Sequence, residues 1–186
     1  MKLTFRFAFN FFLKEKLKNV ELLVMDVDGV LTDGKLYYTE DGEAQKVFDV
    51  QDGFGIKLAN KEIILAIISG NPSAIIERRA QDLGIKYCFV GIVDKAKCLR
   101  NLMKELNIAK EKVAYIGDDL NDLVVRPLVS CFICPSDAHR MIIQQSDIVL
   151  SSKGGNGAVR ELIDRVLSAK GMLNDYFVKG LTESNV

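Results

Sequence analysis

Residues 22–25 form the apolar run Leu-Leu-Val-Met, and the acidic segment Asp-Val-Asp-Gly-Val-Leu-Thr-Asp-Gly follows at once as residues 26–34. This pattern predicts a buried strand that ends at a tight turn. Because alternate strand residues share a face, Asp26 and Asp28 can approach each other where the backbone leaves the sheet. Such a pair could act as a nucleophile beside a proton shuttle. An acidic surface turn is the alternative, since Asp-Gly pairs mark turns of many kinds.

Three further groups of polar residues follow predicted strands later in the chain. The apolar run 64–68 ends at Ser69, and Lys95 opens a helical pattern after a short strand. The run 113–116 leads into Gly-Asp-Asp-Leu-Asn-Asp, residues 117–122. Ligands of open parallel sheets bind at the carboxyl ends of the strands. A hydroxyl, an ammonium group and several carboxylates could therefore meet the first acidic segment in one crevice.

Apolar runs and helical patterns alternate along the chain, which predicts an α/β fold with a parallel sheet and helices on both faces. A hairpin is predicted around the Glu-Asp-Gly turn of residues 40–42. The predicted strands cover residues 20–25, 35–38, 45–50, 63–68, 87–90, 113–116, 130–134 and 148–150. The first predicted helix opens at Asp52, and the second covers residues 75–83 with Pro72 in its first turn. Further helices are predicted at 96–106, 138–145 and 158–169, and a short one after Asp119.

These segments carry a resemblance to a known family. Together with Gln-Asp-Gly-Phe-Gly at residues 51–55 and Gly-Gly-Asn-Gly-Ala-Val-Arg-Glu at 154–161, they resemble the haloacid dehalogenase-like phosphohydrolases. Within that superfamily they look like the family of 3-deoxy-D-manno-octulosonate 8-phosphate (KDO 8-phosphate) phosphatases. The likeness covers roughly residues 20–170 and rests on several motifs in the same order.

The resemblance implies a Rossmann-like sheet of the haloacid dehalogenase type, with a β-hairpin inserted after the first strand. Only the hairpin and one helix fit between Asp28 and Ser69, so no cap domain is expected. Without a cap domain, the site must be covered in another way. The resemblance implies a homotetramer in which the hairpins assemble and a neighbouring subunit covers the mouth of the site. Tyr37 and Tyr38 fit such a contact, and ordinary cross-strand packing is the alternative for them.

The resemblance also assigns the catalytic and metal residues. It implies that Asp26 is the nucleophile and a metal ligand, and that Asp28 is the general acid and base with its backbone carbonyl on the metal. The resemblance implies Asp118 as the third ligand. A site of carboxylate and carbonyl oxygens selects a hard ion, so Mg²⁺ is the expected cofactor.

Four further residues support this site in the family's pattern. Ser69 is expected to hydrogen-bond a phosphoryl oxygen, and Lys95 to neutralise charge on the phosphate and the nucleophile. Asp119 and Asp122 are expected as outer support or additional ligands. For Asp119 the alternative is that it only caps the helix that follows.

Substrate contacts are expected from Thr32, Asn71, Asn156 and Arg160. Asn71 and Asn156 stand where related phosphatases usually have arginine. An arginine can form two charged hydrogen bonds to a carboxylate, and asparagine cannot supply that charge. The two asparagines therefore predict altered recognition of a 2-keto acid carboxylate. A flexible loop and helix start is the alternative for residues 154–157.

Length and composition fit one such domain. The chain has 186 residues, of which 48% are apolar, and 25 basic residues balance 25 acidic ones. This balance gives no indication of nucleic-acid binding or of an anionic membrane surface. The predicted divisions are a leader at 1–19, the phosphatase domain at 20–170 and a tail at 171–186.

The Phe-rich leader is too short for a membrane span and lacks the features of a signal peptide. It is expected to pack on the domain or on a neighbouring subunit, with peripheral membrane contact as the alternative.

Cys131 and Cys134 have the spacing of a metal knuckle, but no second cysteine pair accompanies them and His139 is the only histidine. Reduced thiols in a cytoplasmic protein are the favoured interpretation.

The predicted function is Mg²⁺-dependent phosphate monoester hydrolysis through an aspartyl-phosphate. The resemblance implies KDO 8-phosphate as the substrate, in the synthesis of lipopolysaccharide precursors. A phosphatase for another sugar phosphate or a nonulosonate phosphate is one alternative. A non-catalytic oligomerisation domain is another, although such a scaffold has no need to keep all the catalytic residues.

Overall fold

The structure of the protein is a computed structural model that describes residues 12–179, with side chains described for residues 12–176. The strands of its main sheet are β1 (Leu22–Met25), β4 (Ile64–Ile68), β5 (Tyr87–Phe89), β6 (Val113–Ile116), β7 (Cys131–Cys134) and β8 (Ile148–Val149). Their order is β5-β4-β1-β6-β7-β8, and every pair of neighbours is parallel. The predicted parallel sheet is confirmed.

Helices cover both faces of this sheet. The described part of α1 covers residues 12–18. The other helices are α2 (Val50–Ala59), α3 (Ala74–Asp82), α4 (Lys95–Leu106), α5 (Arg140–Gln145), α6 (Ala158–Ala169) and α7 (Leu173–Lys179), with 3-10 segments at Lys110–Lys112 and Leu120–Leu128.

The alternation of side chains along β1 divides the core into two layers. Leu23 and Met25 pack with residues of α2 and α6, whereas Leu22 and Val24 pack with α4 and the Leu120–Leu128 segment. All four residues are buried, because both faces of the strand are covered. The apolar run that predicted a core strand is therefore explained by burial on two sides.

A two-stranded antiparallel sheet, β2 (Tyr37–Thr39) and β3 (Gly42–Gln45), follows β1 as the predicted hairpin. No second domain covers the sheet in the described part of the chain, so the prediction of no cap domain is confirmed. Several apolar side chains in or beside the hairpin are exposed: Leu36, Tyr37, Tyr38 and Val47.

Several predicted boundaries differ from the structure: the helix predicted to open at Asp52 begins at Val50, and the one predicted from residue 138 begins at Arg140. Two further differences have a clear cause. The predicted strand 45–50 ends at Gln45, because the Asp49 carboxylate accepts hydrogen bonds from the backbone N–H groups of Gln51 and Asp52 and starts α2 instead. Pro72 does not lie in the first turn of its helix, since α3 begins at Ala74 after the N-cap residue Ser73.

The terminal helices pack on the core. Leu17 of α1 is buried, and the Lys16 ammonium lies 3.1 Å from the Asp147 carboxylate. The Tyr176 hydroxyl of α7 donates a 2.7 Å hydrogen bond to Glu62. Most of the Phe-rich leader, residues 1–11, lies outside the described residues. The divisions at residues 19 and 170 stay predictions.

Cys131 and Cys134 lie three positions apart on β7 and contribute to different layers of the core. Their thiols therefore cannot converge on one metal ion, and burial raises the pKa of Cys131 to about 12. All four cysteines are free thiols. None of the helices in the described part of the chain has the length and apolarity that crossing a bilayer requires.

Candidate active site

The end of β1 places Asp26 beside the end of β6. The backbone N–H of Asp26 donates a 3.0 Å hydrogen bond to the carbonyl of Ile116, which continues the pairing of the two strands. Strand order reverses here, since β4 lies on one side of β1 and β6 on the other. Such a switch point leaves a crevice at the carboxyl end of the sheet.

The loop after Asp28 runs close to Asp118. Gly29 has a φ of +82°, and a Cβ at this position would overlap the Asp118 carboxylate. A side chain is therefore excluded twice, by the left-handed backbone and by the neighbouring carboxylate. This close approach brings the acidic segments that follow β1 and β6 together.

Lys95 joins two of the carboxylates in the interior. Its ammonium lies 3.0 Å from Oδ2 of Asp26 and 2.7 Å from Oδ1 of Asp122, and its side chain is buried. Lys95 is the first residue of α4, whose N-cap residue Asp94 accepts a hydrogen bond from the Lys97 N–H. The helix start thus fixes the base of the lysine while the two carboxylates hold its tip.

Asp122 is the centre of this network. Its Oδ1 accepts hydrogen bonds from Lys95 and from the Tyr115 hydroxyl at 2.6 Å, and its Oδ2 accepts from the Asp118 N–H at 3.0 Å. Both oxygens are thus occupied within the protein. Asp122 supports the loop and the lysine, and its expected role as an additional metal ligand stays a prediction.

Asp119 is exposed and lies at the N-cap of the Leu120–Leu128 segment. Its carboxylate accepts a hydrogen bond from the Leu120 N–H at 2.7 Å, and with Asp122 it forms a capping box. The capping alternative that the sequence left open therefore describes this residue. Asp119 also lines the cleft described below.

The carboxylates of the site crowd one another. Burial raises the pKa of Asp26 to about 7, and the negative charge of Asp122 adds to the rise while Lys95 opposes it. Burial likewise raises the pKa of Asp118 to about 8, with further contributions from Asp26 and Asp122. Oxygens of these three residues all lie within 4.8 Å of one another. A bound cation would relieve this repulsion, and oxygen ligands suit Mg²⁺.

A cleft of about 290 Å³ opens above this cluster. Ser69, which is buried at the end of β4, contributes to its wall, and the Ser69 hydroxyl accepts a 3.1 Å hydrogen bond from the Asn71 N–H. The residues that line the cleft are Asp26, Asp28, Gly34, Ser69, Gly70, Asn71, Asp118, Asp119 and Asn121. The cleft therefore combines the carboxylates, the hydroxyl and Asn71, as the order of motifs predicted.

The other expected substrate residues lie elsewhere in the subunit. The Thr32 hydroxyl is buried in the turn, where it accepts a hydrogen bond from the Gly34 N–H at 3.2 Å. Asn156 and Arg160 line a different groove of about 800 Å³, beside α1 and α6. The Arg160 side chain pairs with Asp164 at 2.9 Å. The structure does not bring these residues to the cleft, and their role as substrate contacts stays a prediction.

Gly154 and Gly155 have a structural task in this subunit. A Cβ at Gly154 would overlap the carbonyl oxygen of Gly29, and one at Gly155 would overlap the backbone at Thr32 and Asp33. The Gly-Gly segment therefore packs directly on the loop that carries Asp28. Absence of side chains here permits a backbone contact that supports the site from behind.

Sequence reasoning missed Lys46 and Glu43, which the hairpin brings to Asp28. The Lys46 ammonium lies 2.6 Å from Oδ1 of Asp28 and 2.8 Å from Oε1 of Glu43. A charged residue in a hairpin is ordinarily solvated, so the sequence held no signal for this contact. Tyr115 was missed for a similar reason, because an aromatic residue in a core strand is usually only packing.

The sequence of this chain is similar to known hydrolases. The chain matches the profile of the haloacid dehalogenase-like hydrolases over residues 43–124, and a second profile with the same description over residues 89–162. It is 44% identical to the 3-deoxy-D-manno-octulosonate 8-phosphate phosphatase of Haemophilus influenzae, over 86% of this chain and 89% of that protein. It is 42% identical to that of Escherichia coli K12, over 86% of each chain.

Solved structures agree with these relatives. The 3-deoxy-D-manno-octulosonate 8-phosphate phosphatase of Moraxella catarrhalis, in complex with magnesium, phosphate and KDO, superposes with a TM-score of 0.86 at 39% identity. The match covers 90% of this chain and 97% of that one. The phosphatase of the same name from Yersinia pestis gives a TM-score of 0.84 at 40% identity, covering 87% and 88% of the two chains.

Proposed function

This chain belongs to the haloacid dehalogenase-like hydrolases and, within them, to the family of KDO 8-phosphate phosphatases, and from that premise we propose how its cleft performs phosphate ester hydrolysis. The protein is a Mg²⁺-dependent phosphatase that acts on KDO 8-phosphate and releases KDO and inorganic phosphate. The observation that carries the residue assignment is the convergence of Asp26, Asp28, Ser69 and Asp118 on one cleft, with Lys95 beneath it.

The carboxylates of Asp26 and Asp118 and the backbone carbonyl of Asp28 would hold the Mg²⁺ ion. The ion, when bound, supplies positive charge to the phosphate oxygens and keeps Asp26 ionised. Lys95 contributes a second positive charge at Asp26. The raised pKa values of Asp26 and Asp118 support this assignment, because a cluster of crowded carboxylates needs a counter-ion to be fully ionised.

In the first half-reaction, an oxygen of Asp26 attacks phosphorus and the bond from phosphorus to the sugar oxygen breaks. The Asp28 carboxyl group gives its proton to the departing sugar oxygen, and Ser69 donates a hydrogen bond to a phosphoryl oxygen. In the second half-reaction, water attacks the aspartyl-phosphate and Asp28 takes a proton from it. Asp26 is released as a carboxylate together with inorganic phosphate.

A second candidate substrate class is another sugar phosphate or a nonulosonate phosphate. Asn71 supports it, because this residue lines the cleft at a position where the family usually has arginine. Asn71 donates to Asp28 at 3.3 Å and to Glu43 at 3.4 Å, so its amide faces carboxylates of the protein itself. A substrate carboxylate would find no positive charge at this position.

We also infer that the chain forms a homotetramer in which hairpins cover neighbouring clefts. The exposed side chains of Leu36, Tyr38 and Val47 support this assembly, since a hairpin with these groups in water is unfavourable.

We further propose a reducing location such as the cytoplasm. Four free cysteines, two of them buried, support it.

The test of function is phosphate release by the purified protein with Mg²⁺, measured on KDO 8-phosphate, a nonulosonate 9-phosphate and neutral sugar phosphates. We expect the highest kcat/KM on KDO 8-phosphate and loss of activity after chelation of Mg²⁺. A higher kcat/KM on one of the other substrates would transfer the assignment to that class. Absence of phosphate release from every substrate would contradict the proposed function.

A further inference from the structure

The hairpin places a buried cation against Asp28. Lys46 has a completely buried side chain, and its ammonium lies between Oδ1 of Asp28 at 2.6 Å and Oε1 of Glu43 at 2.8 Å. Burial of an unpaired ammonium is costly, so the two carboxylates determine where this group lies. Glu43 belongs to β3, and Lys46 comes directly after that strand. The hairpin is therefore joined to the catalytic loop within one subunit.

Asn71 holds the second oxygen of the same carboxylate. Its Nδ2 lies 3.3 Å from Oδ2 of Asp28 and 3.4 Å from Oε1 of Glu43. Both oxygens of Asp28 thus have a partner, one from the hairpin and one from the loop after β4. The Asp28 side chain is 28% exposed and lines the cleft, so packing alone leaves it room to rotate.

We propose that Lys46 is a positioning residue for Asp28, and that the hairpin is part of the catalytic apparatus of its own subunit. The inference rests on the proposed function. Lys46 does not line the cleft and contacts Asp28 through a short ion pair, so we assign its effect to the position of that carboxylate.

The second half-reaction depends most on this contact. In it, water oxygen bonds to phosphorus, the bond from phosphorus to Asp26 breaks, and a proton passes from water to a carboxylate oxygen of Asp28. The Lys46 ammonium at 2.6 Å from Oδ1 holds the Asp28 carboxylate in the orientation from which it can receive this proton. The first half-reaction with a good leaving group such as 4-nitrophenolate needs no proton from Asp28. Loss of Lys46 should therefore affect the two halves unequally.

The test is Lys46→Met, assayed with Mg²⁺ and 4-nitrophenyl phosphate. We expect kcat to fall by about tenfold or more, since general-base catalysis contributes about 10²–10⁴-fold in full. kcat/KM, which reports phosphoryl transfer to Asp26, should stay within about threefold of wild type. A burst of nitrophenolate and accumulation of the phosphorylated chain, seen by intact mass spectrometry after acid quenching, should accompany the slower turnover.

Lys35→Met is the matched control. Lys35 pairs with Asp33 at 2.7 Å on the surface near the hairpin, with 71% of its side chain exposed, and makes no contact with Asp28. We expect this variant to have the kcat and kcat/KM of wild type and to show no burst of nitrophenolate.

A second variant covers the case in which Lys46→Met fails to fold. Glu43→Gln/Lys46→Gln removes one charge of each sign from the hairpin, leaves no unpaired Glu43 carboxylate, and should give the same split between kcat and kcat/KM. Equal loss of kcat and kcat/KM in both variants, or wild-type kcat in either folded variant, would overturn the inference while leaving the proposed function standing. A wild-type protein without phosphatase activity would overturn both.

Discussion

At the scale of single residues, the site depends on a division of work among similar carboxylates. Asp26 and Asp118 reach the cleft, whereas Asp122 is buried with both oxygens occupied by Lys95, Tyr115 and backbone N–H groups. The residue type alone cannot distinguish these tasks. What separates them is how many hydrogen-bond donors the fold brings to each oxygen.

Replacement of Asp26 by asparagine should remove the proposed nucleophile with little change in shape. We expect Asp26→Asn to lower kcat by several orders of magnitude, since covalent catalysis is lost while the cleft remains. Phosphate release measured with Mg²⁺ checks this, and circular dichroism confirms the fold. Substantial activity of this variant, after deamidation has been excluded by mass spectrometry, would contradict the mechanism.

Asn71→Arg should change the response to a carboxylate-bearing substrate. The new cation would enter the cleft beside Asp28 and Glu43, and one charge-assisted contact is worth roughly 1.5–3 kcal/mol, or about tenfold or more in specificity. We expect the ratio of kcat/KM between a sugar-acid phosphate and a neutral sugar phosphate of similar size to shift by this amount.

Asn156→Arg serves as a comparison for this substitution, because Asn156 lies outside the cleft of its own subunit. The same ratio change in Asn156→Arg would place this residue at a neighbouring cleft. If Asn71→Arg changes kcat/KM equally for both substrates, position 71 does not recognise the carboxylate.

At the scale of secondary-structure elements, α2 and α6 are joined by a carboxylate. Oδ1 of Asp52 in α2 accepts a 2.7 Å hydrogen bond from the Arg160 N–H at the start of α6, and Oδ2 has no hydrogen-bond partner among the described residues. A negative charge at a helix N-terminus is favourable, while its burial is not. The loop before α6 carries Gly154 and Gly155, which pack on the turn after Asp28, so this contact supports the site at a distance.

The stability of this contact should depend on pH. Burial raises the pKa of Asp52 to about 6 from 3.8, the backbone N–H of Arg160 opposes the rise, and Asp49 adds to it. The folded chain therefore binds this proton more tightly than the unfolded chain, and the contribution of Asp52 to stability decreases as pH rises from about 4 to 6.

Asp52→Asn should abolish that contribution. We expect the free energy of unfolding of the variant minus that of wild type to increase between pH 4 and pH 7, because only wild type loses stability over this range; urea denaturation at both pH values measures it. A difference that is constant over this range would show that Asp52 does not titrate as its burial implies.

At the scale of the whole molecule, the cleft of about 290 Å³ is small and open on one side, and the hairpin of the same subunit carries apolar groups into water. Both features are explained if the hairpin of a neighbouring subunit closes the cleft. Within one subunit the hairpin also carries the Lys46 contact to Asp28. Deletion of the hairpin would remove Glu43 as well, and so would confuse the two tasks.

Substitution of exposed hairpin residues tests the subunit contact while leaving the Lys46 contact to Asp28 in place. We expect Leu36→Asp/Tyr38→Asp to dissociate the proposed tetramer, because charges replace apolar groups at the contact. Activity on KDO 8-phosphate should fall more than activity on 4-nitrophenyl phosphate, which needs less cover. Light scattering measures the mass, and Val149→Asp, at an exposed apolar residue of β8, controls for an added surface charge. A fully active wild-type monomer would contradict the assembly.

The sequence by itself determined the fold class and the place of the site, because buried parallel strands leave long apolar runs and the groups after them must meet at one edge. It also determined Asp26, Asp28, Ser69, Lys95 and Asp118 as residues of that edge. Tertiary structure alone decided which carboxylates reach the cleft and which are hydrogen-bonded in the interior. It brought Lys46 to Asp28 across 18 positions and directed Arg160 to Asp164, away from the cleft. These contacts depend on how a hairpin and a helix dock on the sheet, and local sequence patterns carry no record of that docking.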